Sequence, residues 1–297
     1  MRASIPIAGA LLGGALLIGC SDSNGGGSGT LTLQATDAAF IHHHLVQKAE
    51  VKVSKIQIHA QAGAQSGFKT LYDDPANPIV MDLARLSNGV KQVLVDAKSL
   101  PSGTYRQLRL SFSAATLVLQ DGQQAKTWST DHGTIQLTNQ AASGLVLPID
   151  PPVEIVDGFS ETLLLDFDLS KTFLPLPASA EPMDAQTYLL GPVIRVANES
   201  TTGEIAGTVT DANGNLLAKV TVSVLVPNGA PAKSDDIAAS TATGDGQSPE
   251  QPLGEYRVLG LPEGTYDVHA SDGSRTARVN GVQVLVGSVT TVDLELP

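Results

Sequence analysis

From Thr30 onward the chain alternates apolar and polar residues in short runs with a period of two. In TLTLQATD, Leu31, Leu33 and Ala35 share one phase. In YRQLRLSF, Leu108, Leu110 and Phe112 alternate with Gln107, Arg109 and Ser111. TLLLDFDLS sets Leu163, Leu165, Phe167 and Leu169 against Asp166, Asp168 and Ser170, and PVIRVAN sets Ile194 and Val196 against Val193 and Arg195. Successive side chains of a strand point to opposite faces, so each run predicts a half-buried β-strand. VKVSKIQIHA changes parity between Val51/Val53 and Ile56/Ile58, which predicts a bulge at Ser54–Lys55. Asn88-Gly89, Asp121-Gly122 and Asp157-Gly158 supply turns. Only Ile79–Leu86 offers a helical turn or two, and Pro175–Gln186 reads as a long loop.

NESTT, Asn198–Thr202, reads as a short linker, and a second series of strands follows it. Ile205, Gly207 and Val209 alternate, Asp211–Asn215 make a turn, and Val220, Val222, Val224 and Val226 line one face. Short strands punctuated by turns at such regular spacing are the pattern of a β-sandwich. The expectation is an all-β protein with two β-sandwich domains, 30–197 and 203–297, and 297 residues suffice for both.

The N-terminus has its own pattern. Arg2 precedes fourteen apolar or small uncharged residues, Ile5–Ile18. A bilayer span needs about 20, so the run fits the core of an export signal, 1–19. Leu17-Ile18-Gly19-Cys20 resembles the lipobox of bacterial lipoproteins. The resemblance implies that Cys20 takes a diacylglycerol on sulfur and that the signal is cut before it. The freed amine is then acylated, and the membrane becomes a partner through the acyl chains. Ser21 in the next position resembles the class sent to the outer membrane. Ser21–Gly29 has no apolar residue and reads, with Cys20, as a flexible tether over 20–29, its nine residues reaching about 15–18 Å. Cys20 is the only cysteine, so no intrachain disulfide can form.

The second unit carries GEIAGTVTD (203–211), Gly214, Val220–Val224, Gly254–Tyr256 and LPEGTY (261–266). These resemble the carboxypeptidase regulatory-like family, which implies a transthyretin-like sandwich and a non-catalytic accessory role. TGDGQSPEQPLG, Thr243–Gly254, is longer than the tight turn usual there. The first unit carries GTLTLQATDAAF, LPSGTYRQLRLSF, LLLDFDLSKTF and YLLGPVIRV, and resembles domain-of-unknown-function family 4382. LPSGTY at 100–105 nearly repeats LPEGTY. In each phrase Pro presets a turn, Gly supplies an unusual φ and Tyr starts a strand with its ring inward. Two readings stand: recurrent β-turn chemistry, or two transthyretin-like sandwiches.

Charge and candidate chemistry narrow the function. A net charge of −12 and a pI near 4.8 disfavour nucleic acid as a partner. Consecutive His42, His43 and His44 can put at most two rings on one strand face, too few for a zinc or copper site by themselves. Asp166 and Asp168 share a face, where Arg109 or Arg195 could pair with them, or where Asp157 or Glu161 could help them hold Ca²⁺. DANGN at 211–215 resembles the start of a calcium loop, but Leu216 and Val222 stand at the Gly and Glu positions, so a hairpin on Asn213-Gly214 is expected. No catalytic motif is present. Aromatics are 4%, and the single Trp128 is expected between sheets. The functional expectation is a lipid-anchored envelope protein with a binding, adhesion or structural role, no cofactor, and a protein partner in the envelope. The alternatives are a metal-binding (Ca or Zn) or hydrolytic periplasmic protein, and an anchor or assembly subunit of a surface structure.

Overall fold

The computed structural model describes residues 27–38, 45–64, 66–227 and 237–297. The first unit contains β1 (Ser28–Ala38), β2 (Val46–His59), β3 (Lys69–Asp73), β4 (Ile79–Asp82), β5 (Gln92–Pro101), β6 (Gly103–Asp121) and β7 (Gln124–Ser129). It continues with β8 (Ile135–Leu137), β9 (Leu145–Ile155), β10 (Ser160–Asp168), β11 (Phe173–Leu176), β12 (Thr187–Leu190) and β13 (Ile194–Asn198). One sheet runs β13-β10-β1-β5; a larger one runs β3-β2-β6-β7, with β4 paired to β2 and β9 to β6; a small third sheet is β11-β12-β8. β1 and β10 are parallel, from Thr30 opposite Ser160 to Ala38 opposite Asp168.

The inward phases read from the sequence meet in one core. Leu31, Leu33, Val51, Val53, Ile56, Ile58, Leu108, Leu110, Leu163, Leu165 and Phe167 are all buried in it. Between β2 and β6, Val53 sits opposite Phe112 and Lys55 opposite Ser111, so Ser54 is the extra residue that returns Ile56 and Ile58 to the core face. Three local expectations change. Short helices form at Asn139–Ser143 and Leu169–Thr172, outside the one stretch expected to turn; the Thr138 side chain caps the first by accepting the Ala141 N–H. The expected helical turn is confined to Leu83–Arg85, because Met81 is drawn into the core opposite Val51 and makes Ile79–Asp82 a strand. The long loop is partly ordered: its first residues complete β11, where Pro175 is tolerated on an edge strand, and Pro182–Asp184 form a 3-10 turn.

The second unit contains β14 (Thr202–Asp211), β15 (Thr221–Leu225), β16 (Ile237–Ala242), β17 (Glu255–Pro262), β18 (Gly264–Ser271), β19 (Thr276–Val284), β20 (Val289–Thr291) and β21 (Leu294–Leu296). Its sheets are β17-β14-β20, with β21 also on β14, and β16-β15-β18-β19. Ile205, Val209, Val220, Val222, Val224 and Val268 form its core. Val226 departs from the expected face and is 52% exposed, because β15 ends at Leu225. A Cβ at Gly207 would lie 1.9 Å from the Val292 carbonyl oxygen, so only glycine lets this stretch pack against β14.

The near-repeat has one structural job in both units. β5 ends at Pro101 in one sheet and β6 starts at Gly103 in the other; β17 and β18 switch sheets across Pro262 and Gly264 in the same way. Tyr105 donates its hydroxyl proton to the Pro101 carbonyl at 3.0 Å, and Tyr266 to the Pro262 carbonyl at 2.9 Å. Proline, without an N–H, ends the first ladder, and the buried ring fastens the corner from inside. Gly103 has the unusual φ expected, +150°, whereas Gly264 does not; there the bare Cα faces the Tyr266 ring.

The units join without slack. The expected linker is one 3-10 turn, Glu199–Thr201, whose Ser200 N–H donates to the Asn198 side-chain oxygen at 3.0 Å.

Candidate functional site

Two of the residues singled out in the first unit, Asp166 and Arg195, meet at its seam with the second. β10 sends Leu163, Leu165 and Phe167 inward, which leaves Leu164 and Asp166 on the outer face of the sheet. That face is not solvated. Leu164 is fully buried against Ala197 and Leu259, and Asp166 is 8% exposed. The outward phase of Asp166 therefore leads into the second sandwich and not into water, contrary to the simple alternation.

Of the two arginines weighed as partners, Arg195 is the one. It lies opposite Asp166 across β10 and β13, with its Nη2 2.7 Å from Asp166 Oδ2. The same nitrogen donates to the Leu259 carbonyl at 3.1 Å, and Nη1 donates to the Gly260 carbonyl. One guanidinium thus ties a buried carboxylate of the first unit to two backbone carbonyls of the second. Burial pushes the Asp166 carboxyl above the usual range, and Arg195 pulls it down by less. Gly260, at φ +65°, makes the approach possible: a Cβ there would sit 3.0 Å from Ala197 Cβ. Arg109 instead stacks over the Phe68 ring at 3.9 Å.

The Asn88-Gly89 turn is a second contact between the units. Asn88 N–H donates to Thr241 Oγ1 at 2.9 Å in a buried position, and Gln251 Nε2 donates to Ser87 Oγ at 3.2 Å. Gly89, at φ +76°, lies where a Cβ would press on Arg257. Lys91 and Glu199 pair at 2.7 Å beside it. The long stretch Thr243–Gly254 folds back on itself, with Gly244 N–H donating to the Glu255 carbonyl and Gly246 N–H to the Gln251 carbonyl, and it delivers Gln251 to the seam.

The expected metal-site candidates do not assemble. Asp168 turns to Ser170 and Lys171, Asp157 accepts the Ser28 N–H at 2.9 Å, and Glu161 accepts the Ser200 hydroxyl at 2.9 Å. Asp211 accepts the amide protons of Asn213 and Asn215 and the Asn215 side chain, so the DANGN turn satisfies its own carboxylate. His59 accepts from Gln61 N–H, His132 meets Ser129, and His269 lies opposite Arg278, on three separate elements. Among the described residues no group of three or more metal-ligating side chains converges. His42, His43, His44 and Cys20 lie outside the described residues. Trp128 is buried, donates to the Ala185 carbonyl at 3.1 Å and meets Tyr188 edge-on, so it is a core residue and no stacking platform. Burial pushes the Tyr188 phenol up to about 12.

A cleft of about 350 Å³ opens beside the seam. Its charged groups are Asp150 and Arg195, and Arg195 is already engaged, so the cleft presents no paired acid and base. The chain enters the first sandwich at one end. β1 starts at Ser28, two residues inside the expected tether, and Ser102 N–H donates to the Gly27 carbonyl at 2.7 Å. A Cβ at Gly29 would lie 2.4 Å from the Val156 carbonyl oxygen, so this glycine serves close packing.

Sequence reasoning missed the seam. One signal for it was present: Leu163-Leu164-Leu165 breaks the alternation of β10, as a strand covered on both faces does. Asn88-Gly89 carried no sign that its turn would be used as a contact.

Comparison with known proteins assigns both units. The model of a family described as Domain of unknown function (DUF4382) matches residues 28–192, more than half of the chain. The chain belongs to this family. The DUF4382 unit so defined takes in β1 to β12, including Asp166, while Arg195 falls just beyond the match. A carboxypeptidase regulatory-like domain matches residues 204–297. No curated protein matches the chain. Among solved structures, similarity is found to the Bacillus anthracis TIE protein, at 10% identity and a TM-score of 0.23, covering 84% of this chain and 34% of that one. This DUF4382 protein thus spans about a third of the length of that relative. Similarity is also found to GBS52, the minor pilin of Streptococcus agalactiae, at 10% identity and a TM-score of 0.20, covering 89% and 94%. BcpA, the major pilin subunit of Bacillus cereus, gives 10% identity and a TM-score of 0.24, covering 91% and 70%.

Proposed function

We propose that this protein is held in the bacterial cell envelope, on the outer membrane, by acyl chains on Cys20. It displays its two sandwiches there in a non-catalytic binding, adhesion or structural role, with a protein of the envelope as partner. The observation that carries the reading is the lipobox Leu17-Ile18-Gly19-Cys20 between a short apolar run and a Gly/Ser tether. Several acyl chains on one residue give stable anchoring, since each buried CH₂ adds about 0.8 kcal/mol. The seam supports a display role. The units are joined by one turn, by the hydrogen bonds of Arg195 to the Leu259 and Gly260 carbonyls and by a buried hydrogen bond from Asn88 to Thr241, so they are presented to a partner as a single body.

Labelling of cells with radioactive palmitate tests the anchor. Label is expected on the wild-type protein and absent from Cys20→Ala, and globomycin should cause the precursor to accumulate. Equal labelling of Cys20→Ala would remove the basis of the proposal.

A further inference from the structure

The turn between β9 and β10 exposes apolar surface that the fold does not require. Phe159 is 67% exposed, the highest value among the large exposed hydrophobic side chains of the described residues, and Val156 is 48% exposed. The turn itself is made by its backbone: Gly158, at φ +74°, donates to the Ser28 carbonyl at 3.0 Å, and Phe159 N–H donates to the Val156 carbonyl at 3.1 Å. A polar residue at 159 would serve this geometry as well. A second apolar loop carries Leu285, Val286 and Val289, exposed by 54%, 42% and 49%. It is tied in through Gly287 N–H to the Thr202 carbonyl, two residues beyond Ser200, whose hydroxyl holds Glu161.

This is also the end at which the chain arrives from Cys20. Asp157 in the turn holds the Ser28 N–H, and Gly27 is fixed against Ser102. Gly27 lies seven residue steps beyond Cys20, with six residues between them. Such a length spans about 25 Å fully extended and about 15 Å on average when Gly-rich. The hairpin Asp121–Gln124 lies at the other end of the 19-residue β6, about 60 Å of strand away.

We infer that the Val156–Phe159 turn is a membrane-contact tip that inserts Phe159 into the interface of the lipid surface carrying the anchor. The inference rests on the proposed acylation of Cys20 and adds a second, orienting contact to it. Glu154, Asp157 and Glu161 flank the tip, so charge does not draw it to anionic headgroups. The contact is apolar and suits a zwitterionic surface.

The test uses the full-length protein made in lipoprotein-processing cells and reconstituted in phosphatidylethanolamine–phosphatidylglycerol vesicles with brominated acyl chains. Phe159→Trp is compared with Gln124→Trp at the far hairpin; the buried Trp128 gives a common background, and circular dichroism checks that both variants are folded. The mass of the N-terminal peptide is measured on the same preparations. The expected result is an acylated Cys20, with bromolipid quenching of the added indole about threefold or more greater at 159 than at 124, unchanged in about 0.5 M salt. Acylated protein with equal quenching at both positions overturns the tip and leaves the anchor standing. An unacylated Cys20 overturns the anchor, and the tip with it.

Discussion

Arg195 Nη2 lies 2.7 Å from Asp166 Oδ2, in a place where Asp166 is almost wholly buried and Arg195 is partly exposed. The two partners are therefore not equivalent. Removing Arg195 strands a buried carboxylate, whereas neutralising Asp166 leaves a guanidinium that still donates to two carbonyls and reaches water. Breaking a fully buried pair from one side costs roughly 3–5 kcal/mol, and the exposure of Arg195 discounts that. Arg195→Ala should destabilise the protein by about 2–3 kcal/mol and Asp166→Asn by about 1 or less, read from urea unfolding followed by Trp128 fluorescence. Equal losses would contradict the asymmetry.

The two sandwiches should respond differently to acid. In the second, Asp211 is held below the usual carboxylate range by the Asn215 side chain, Asp267 by Arg278 and Asp272 by the Arg275 amide. Burial holds His269 below its ordinary value. Groups whose pKa is lowered on folding contribute stability above their unfolded pKa and lose it as pH falls through the folded one. In the first sandwich Asp74 is lowered by Asn77, but Asp166 is raised and acts with the opposite sign. As pH falls below about 5 and through the depressed values of these carboxylates, the second sandwich should lose more stability than the first. Trp128, the only tryptophan, reports the first unit alone, and far-ultraviolet circular dichroism reports both. A Trp128 transition that moves as far as the dichroism transition would refute this.

The sheet-switching corners give a matched pair of tests. Tyr105→Phe and Tyr266→Phe each delete one hydroxyl that donates to a proline carbonyl four residues upstream. Each should cost about 1 kcal/mol, and Tyr105→Phe should shift the Trp128 transition while Tyr266→Phe leaves it nearly in place. A shift of the Trp128 midpoint by both would mean that the corners do not act within their own sandwiches.

Thr241→Val tests the second seam contact. It leaves the buried Asn88 N–H without its acceptor, a loss of about 1–3 kcal/mol. Hydrogen exchange at the Asn88 amide should accelerate about tenfold or more, with little change at core amides such as Leu110. Slow exchange retained in the variant would show that the seam does not protect that amide.

How legible the fold was depended on which side of each strand was in question. The inward phases of β2, β6 and β10 and the bulge at Ser54 followed from period two alone, because a core face admits only apolar residues. What covers an outer face is decided by a neighbour far away in sequence. Asp166 therefore read only as an outward-facing partner for an arginine, with nothing covering it, although Leu164 on the same face carried the contrary signal. Proline and glycine misled in both directions: Pro175 lies in a strand, and Gly29, read as tether, is packed against β9 and the turn after it. For the site, alternation put Asp166 on a face where Arg109 or Arg195 could pair with it, but nothing local chose Arg195 or indicated that it would also hold Leu259 and Gly260.

The anchor on Cys20 is the centre of the functional proposal. Its most direct test is the mass of the N-terminal tryptic peptide, Cys20–Lys48, from protein taken out of the cell envelope. The proposal requires a peptide that starts at Cys20 and carries a diacylglycerol and a fatty acyl group. A peptide that starts at Ala3, where trypsin cuts an unprocessed signal, or one that starts at an unmodified Cys20, would contradict it.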